Sequence, residues 1–446
     1  MIHAREWDRA NKTDDSDTPL VRRTAWILFL VCVAVYGATP RYLGTADTFP
    51  NVFLPVSLIL HGDLALERYP TLPGIGDEPP PYYVQRRAGH LVSSFSVVPA
   101  VLAVPVYAGP VLWMRHRGVA YDRPEFDRVC RRLARLAASL MTAGSVAFVF
   151  LALAGCLPRA AALILASGYA FGTLAFPVAS QGLWGHGPAM LFLSLGAWLW
   201  LRHPERLVSL GAALGMAVAS RPAAAAAAAA FGLAVALGAR RRLWRLIPAP
   251  AALAAALLLY NLAVFGTPDG GYAKINADVA ARQHVEGIWT PRVLEGLAGL
   301  LISPSRGLLI FSPFLLAGFA GMAVALARPA WERFRPLAWG VLAQLALFSG
   351  YAVWWGGMAF GPRYLAEILP LLVILAAPVL ETIRSRPPLR MTFATLLLAS
   401  VLLHSLAAIL WTGDWYVSPT NVDIDHSRLW DWRDSEITRL LGRAPQ

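Results

Sequence analysis

Short polar and aromatic-glycine motifs interrupt an otherwise apolar chain of 446 residues, and they hold the side chains able to do chemistry. Thr45-Ala46-Asp47-Thr48 offers a carboxylate, and Tyr82-Tyr83-Val84-Gln85-Arg86-Arg87-Ala88-Gly89-His90 offers phenols, cations and an imidazole. Trp184-Gly185-His186, Ser220-Arg221-Pro222, Phe265-Gly266-Thr267-Pro268, Ser303-Pro304-Ser305-Arg306-Gly307, and Trp354-Trp355-Gly356-Gly357 with Gly361-Pro362-Arg363-Tyr364 complete the set. A carboxylate within about 3 Å of a hydroxyl can take its proton, which is worth roughly 10²- to 10⁴-fold in rate. Guanidinium groups bind anions in fixed geometry. Each residue also has a structural reading. Asp47 can cap the apolar stretch 51–60, the arginines can pair with Asp or Glu, His186 beside Trp184 can be a packed interfacial His, and Arg306 sits in a motif that also starts helices.

What must position these residues is set by composition. Hydrophobic residues make up 57% of the chain, charged residues 15%, and mean hydropathy is +0.51, values that a water-exposed surface does not carry. The charges are bunched, leaving apolar windows of about 17 to 22 residues, the length that crosses a ~30 Å hydrocarbon core. The net charge of +12 comes from clusters beside these windows, where Lys and Arg set topology, so no nucleic-acid partner is expected. Cys32, Cys130 and Cys156 show no CxxC spacing, which argues against a disulfide framework or thiolate metal site. Arg5, Arg9, Lys12, Arg22 and Arg23 precede the first apolar run without an A-x-A cleavage site, so that run is expected to be an anchor.

Charge counting then predicts the path. A cytoplasmic tail over 1–23 leads into a first span at about Trp26 to Thr39, and a first periplasmic loop over 41–91 follows. In that loop Asn51 to His61 is expected to lie as a helix on the membrane surface. A second span from about Val92 to Trp113 would return the chain to Arg115, Arg117, Arg123, Arg128, Arg131, Arg132 and Arg135, the densest basic cluster, placed in the cytoplasm. Between Arg135 and His186 an odd number of crossings is then needed, yet two apolar runs are available, 134–155 and 160–178, with a break at Cys156-Leu157-Pro158-Arg159. One of the two should therefore be partial. Leu207 to Leu237 reads as a hairpin of short arms, and Ala223 to Ala230 as close helix packing. A second long periplasmic loop covers 264–306, and a periplasmic tail covers 412–446, with Asn421 to Leu441 as an amphipathic segment on the outer surface. The expected architecture is an all-α membrane protein with a domain over 24–411, a bundle of about 11 transmembrane helices and a partly helical first periplasmic loop.

On this path nearly every motif falls on one side, whereas a transporter would place ionisable residues at the midplane. The acid just after the first span, the His after a later short span, and the blocks LLISPSRGLLIFSPFLL (300–316) and WWGGMAFGPRYLAEILPLL (354–372) resemble bacterial GT-C-type membrane glycosyltransferases. That group is similar in layout to the protein O-mannosyltransferases and the lipid A aminoarabinose transferases. The resemblance implies an inverting transferase of the bacterial inner membrane. It would move a sugar from a polyprenyl-phosphate donor to a hydroxyl of a lipid, glycan or protein acceptor on the periplasmic face. Asp47 matches the acid of the first external loop, acting as base or substrate anchor; Thr48 stands where a second acid is usual, which weakens a metal-dependent reading.

Within that reading the departing lipid phosphate gains negative charge, and Arg363, Arg221, Arg306, Arg86, Arg87 and His186 are the candidates to stabilise it. Tyr82, Tyr83, Trp354 and Trp355 are the candidates to stack on the sugar, with an interfacial aromatic belt as the alternative. No cofactor is expected, and dependence on a divalent metal stays open. Asp63 and Glu67 read as solvated. No Walker A loop, Rossmann glycine fingerprint, HExxH or GxSxG occurs. The competing readings are a flippase for lipid-linked sugars or another transporter, and a non-catalytic scaffold of envelope assembly.

Overall fold

The computed structural model describes residues 18–39, 42–238, 240–282 and 287–443. Residues 1–17 of the expected N-terminal tail, residue 41 of the first loop, 283–286 of the second and 444–446 of the C-terminal tail lie outside the described residues. Helix α1, Pro19–Ala38, starts where Thr18 accepts a hydrogen bond from the Val21 amide and Pro19 occupies the first turn. Its 20 residues reach about 30 Å. Val21, Ala25, Leu28, Cys32 and Tyr36, spaced three or four apart, face the protein, while Trp26, Ile27, Leu30 and Val31 are exposed. That division suits a helix with lipid on one side.

The chain then forms α2 (Phe49–Leu60), a hairpin of β1 (Val84–Arg87) and β2 (His90–Ser93), and helices α3 (Val98–His116) and α4 (Pro124–Ala154). After them come α5 (Arg159–Phe171), α6 (His186–Arg202), α7 (Leu207–Ser220), α8 (Ala225–Gly238) and α9 (Pro248–Phe265). The last part contains α10 (Tyr272–Arg282), α11 (Val293–Ile302), α12 (Leu316–Ala327), α13 (Arg335–Ser349), α14 (Leu369–Ile374), α15 (Ala377–Ser385) and α16 (Pro387–Leu410). Among the described residues 5 helices are long and apolar enough to cross a membrane, and up to 7 if two bent pairs count as one span each. In one of those pairs the axis turns by 59° between Arg363–Ile374 and Ala377–Ser385. Close packing in the Ala-rich run is present: Ala227 of α8 is fully buried, and a Cβ on Gly340 of α13 would sit 3.3 Å from its carbonyl oxygen.

The path departs from charge counting at α4. Arg135 donates to the carbonyl oxygens of Thr39 and, at 3.0 Å, Gly37, so α4 meets α1 at the end of α1 and runs back beside it. Its 31 residues span about 46 Å, well over the ~30 Å of a hydrocarbon core. The surplus turns, residues 124–134, project past the end of α1 among the residues of the first loop. There Phe126 stacks with Phe53 and Tyr69, Arg131 lies 5.7 Å from the Tyr42 ring centre, and the Tyr121 hydroxyl is 3.0 Å from His61 Nε2. The basic cluster 115–135 therefore shares its end of the bundle with the first loop, not the opposite end that charge counting predicts.

Helix α3 belongs to the same end, although its length and composition suit a span. Ser96, just before it, donates to the Ala219 carbonyl at the end of α7, and the Tyr107 hydroxyl lies 3.1 Å from Val52 O and 2.9 Å from Cys130 O. With α3 lying along this end, α4 and the stretch 159–181 lead the chain away and back, the Leu43 amide donating to the Gln181 carbonyl at 2.9 Å, and α5 is one of the apolar helices shorter than a full span. The break at 156–159 is where expected: Arg202, at the far end of α6, donates to the Gly155 carbonyl at 3.1 Å.

Two surface expectations also change. Helix α2 is buried, with Val52, Phe53, Leu54 and Val56 at 1% exposure or less, because α3 and the overhanging turns of α4 cover it. The C-terminal tail is folded into the body: Trp415, Tyr416, Val422, Leu429 and Leu440 are buried, and Ser303 Oγ donates to the Leu429 carbonyl at 2.6 Å.

Candidate functional site

At the end of the bundle shared by the first loop and the tail lies a cavity of about 590 Å³. Its polar lining includes Asp47, Tyr82, Arg221, Arg363 and Asp423. Asp47 is delivered by a tight turn in which the Thr45 amide donates to Thr48 Oγ1 at 3.0 Å and that hydroxyl donates to the Thr45 carbonyl at 2.9 Å. Thr48, not Asp47, stands at the cap position of α2, and no side chain caps that helix. The Asp47 carboxylate is instead held across the cavity: Oδ2 accepts from Arg363 Nη1 at 2.6 Å, and Oδ1 lies 3.5 Å from the Tyr82 hydroxyl.

Arg363 follows a loop in which Gly356, Gly357 and Gly361 have φ of +78°, +70° and +63°, a region that side-chain-bearing residues avoid. Gly361 is also confined sterically, since a Cβ there would lie 3.0 Å from the Phe311 ring. The guanidinium of Arg363 lies 5.4 Å from the Tyr364 ring centre and that of Arg221 lies 5.7 Å from it. Tyr364 is itself stacked on Phe348, with centroids 4.5 Å apart and planes 2° apart. One fixed aromatic thus seats both cations.

Arg221 arrives from the end of α7 and is anchored by a buried acid. Its Nε lies 2.6 Å from Glu367 Oε1, and His186 Nδ1 lies 2.5 Å from the same oxygen. Glu367 and His186 are fully buried, whereas Arg221 keeps 18% of its side chain exposed, on the cavity wall. Gly185 makes this approach possible: a Cβ there would fall 2.7 Å from the Ser220 carbonyl. His186 lines a small recess of about 50 Å³ behind Asp47 and leaves its Nε2 without a hydrogen-bond partner among the described residues.

The other proposed anion-binding residues are placed elsewhere. Arg306 is fully buried and pairs with Glu436 of the tail at 2.8 Å, donating also to the carbonyls of Trp355 and Gly357. Arg86 pairs with Glu78 at 2.6 Å on the surface, and Arg87 donates to Gln85 Oε1 at 2.8 Å. Tyr82 lines the cavity, but Tyr83 turns to the Pro73 carbonyl. Trp354 and Trp355 are buried beside the cavity, and Trp355 Nε1 donates to Asp423 Oδ1 at 3.2 Å. Asp63 and Glu67, read as solvated, are partly exposed and paired with Arg68 and His90.

The cavity also contains residues that motif reading passed over. Helix α10, inside the second long loop, supplies Tyr272 and Arg282, the latter 4.7 Å from the Tyr82 ring centre. Asp278 of α10 is held by Lys274 at 2.7 Å. Burial pushes the Tyr272 phenol up to about 12 and that of Tyr82 further, so both stay protonated and can donate. Tyr416 and Asp423 come from the tail, with the Tyr416 hydroxyl donating to Asp423 Oδ1. Their only sequence signal was an acid and aromatic residues clustered after the last span. Among the described residues no three His, Cys, Asp or Glu side chains gather as a metal site would require.

The arrangement can do three things chemically. A carboxylate can take a proton, two guanidinium groups seated on one ring can hold an oxyanion, and Tyr82, Tyr272 and Tyr351 give the space an aromatic lining. No model of a known protein family matches the chain, and no curated protein matches it closely enough to serve as a relative.

Proposed function

We propose that the chain is an inverting glycosyltransferase of GT-C type that moves a sugar from a polyprenyl phosphate to an acceptor hydroxyl. The observation that carries this reading is the pairing of Asp47 with Arg363 at 2.6 Å inside a cavity that also holds Arg221. In the pair Arg363 neutralises Asp47. A donor phosphate competes for the guanidinium groups of Arg363 and Arg221, which frees the carboxylate as the substrate arrives. Asp47 then takes the acceptor proton, the acceptor oxygen bonds to the anomeric carbon, and the bond from that carbon to the phosphate oxygen breaks. The electron pair leaves on polyprenyl phosphate, where the two cations stabilise it.

The finer topology belongs to the same proposal. About 11 passes are made by α1, α4 to α9, α12 with the turns before it, α13, the bent pair α14–α15, and α16, with α3 at the interface instead of crossing. The short connections at the end away from the cavity carry Arg202, Arg206, Arg240 to Arg242, Arg328, Arg335, Arg384 and Arg386, and the cytoplasmic assignment of that end rests on them, against the cluster 115–135 at the cavity end. The cavity then faces the periplasm of a bacterial inner membrane.

The test is transfer in detergent. Purified chain with a polyprenyl-phosphate sugar should release polyprenyl phosphate when an envelope acceptor fraction is added. A transporter needs a sealed membrane to show its activity, and a scaffold releases nothing. Absence of release with every donor tried, alongside translocation in sealed vesicles, overturns the transferase reading.

A further inference from the structure

The basic cluster 115–132 lies at the cavity end of the bundle, and the cavity does not use it. Along the outward face of α4, Glu125, Arg128, Arg132 and Leu136 are exposed at helical spacing, with Leu136 at 42%. On α3 the exposed side chains Leu112 and Trp113 give way within one turn to Arg115, His116 and Arg117, all exposed. Arg117 lies 5.6 Å from the Trp113 ring centre. On α4, then, a single exposed apolar side chain, Leu136, is followed outward by exposed cations, and on α3, which lies along this end, Leu112 and Trp113 sit beside exposed cations. Arg132 stands about 6 Å beyond Leu136 along the helix axis, comparable with the depth of one headgroup layer.

The local acids do not cancel these cations. Asp127 is taken by Arg131 at 2.6 Å, and the exposed acids nearby are Asp122 and Glu125, against exposed Arg115, Arg117, Arg123, Arg128 and Arg132. Charge counting sends such a cluster to the opposite end of the bundle, yet the contacts of Arg135 and Tyr121 hold it here. A partner of opposite charge at the level of the headgroups accounts for both the cations and the aromatic residue beside them.

We infer that α3 and the overhanging turns of α4 form a docking surface for anionic phospholipid headgroups in the leaflet at the cavity end. Arg117, Arg128 and Arg132 contact the phosphates, and Trp113, Leu112 and Leu136 sit in the acyl boundary below. The inference is independent of the transferase reading, because none of these residues lines the cavity.

The full chain, purified and delipidated in detergent, is titrated with dioleoyl phosphatidylglycerol and, separately, with dioleoyl phosphatidylcholine, and bound lipid is counted by native mass spectrometry. Wild type should prefer the anionic lipid, and the preference should weaken at high salt. The combined change Arg117→Gln, Arg128→Gln and Arg132→Gln should lower it by about tenfold or more. Replacing the same three by Lys should keep most of it, which separates charge from folding. Arg240→Gln, Arg241→Gln and Arg242→Gln together remove equal charge at the other end and should leave this preference largely intact. Equal retention of both lipids by wild type, an unchanged preference in the first triple variant, or an equal loss in the control triple overturns the assignment.

Discussion

Asp47 and Arg363 stand 316 positions apart in the chain and 2.6 Å apart in space, and each keeps less than a fifth of its side chain exposed. The pair closes the first loop against the turn that leads into α14. It brings the one carboxylate that directly follows α1 onto a cation already seated over Tyr364. In the proposed mechanism the pair is a resting state that a donor phosphate opens.

Asp47→Asn keeps the size of the side chain and a hydrogen-bond acceptor for Arg363 but removes the base. Transfer should fall by roughly 10²-fold or more, with affinity for polyprenyl phosphate retained or raised, because the neutral amide competes less for Arg363. Arg363→Ala should weaken both, because the guanidinium would meet the phosphate before and during bond cleavage. Single-turnover transfer and a binding titration separate the two outcomes. Near-normal transfer by a folded Asp47→Asn protein removes Asp47 as the base and turns attention to Asp278 or Asp423, the other cavity carboxylates.

Arg221 has a second role that must be separated from the first. Its removal leaves Glu367, fully buried, with His186 as its remaining neighbour, and stranding a buried charge costs about 3–5 kcal/mol. Arg221→Ala should therefore lower both thermal stability in detergent and donor affinity. Adding Glu367→Gln should recover much of the stability and none of the affinity. Recovery of both would make Arg221 purely structural.

The buried pair Arg306 and Glu436 ties the tail to the body, and Glu436 Oε2 also accepts from the Gly361 amide at 2.9 Å. Arg306→Ala should destabilise the protein by about 3–5 kcal/mol, since Glu436 would remain buried without its cation. Arg306→Met combined with Glu436→Gln should cost clearly less than the single change. Thermal unfolding followed by tryptophan fluorescence reads the difference, and a single variant as stable as wild type would contradict the pairing.

Topology is open to a direct check. In a background without Cys32, Cys130 and Cys156, a cysteine at Arg117 or at Arg433 should label from the same side of sealed vesicles, and one at Arg241 from the other; all three positions are exposed. Labelling of 117 together with 241 would restore the cytoplasmic assignment of the basic cluster.

Much of the site was legible because its residues violate local expectation. Asp47 is a carboxylate directly after an apolar run, and Arg221 and Arg363 are cations amid apolar sequence, so each drew notice by its type and place. Their partners were not legible. Glu367, which holds Arg221 and His186, falls within the block 354–372 but follows Arg363 in an apolar stretch where nothing local marks it as a partner, and only the folded bundle brings α6, α7 and the turn before α14 together. The path failed at α4 for a related reason. Charge counting registers where arginines lie but not that a 31-residue helix can overhang a bilayer, carrying Arg128 to Arg135 outward with it. The tail misled because an amphipathic pattern over 421–441 does not reveal that Glu436 is buried against Arg306, 130 positions away.

Asp423 offers the last test, because it places part of the cavity wall in a segment that motif reading left on the surface. Trp355 Nε1 and the Tyr416 hydroxyl both donate to its Oδ1, which fixes the carboxylate at the cavity wall. Gly357 lies between it and the cations: a Cβ there would stand 3.7 Å from Arg363 Nη2 and 4.0 Å from the Tyr416 hydroxyl. In the proposed mechanism a group held by Asp423 faces the donor phosphate across Gly357, where a sugar or acceptor hydroxyl is the fitting hydrogen-bond donor. Asp423→Asn should lower kcat/KM for transfer by about tenfold, mostly through KM, while affinity for polyprenyl phosphate alone is unchanged. Tyr416→Phe should do the same more weakly, since it loosens the carboxylate without removing it. A loss of phosphate affinity equal to that of Arg363→Ala would instead mean that Asp423 acts by holding the cations in place.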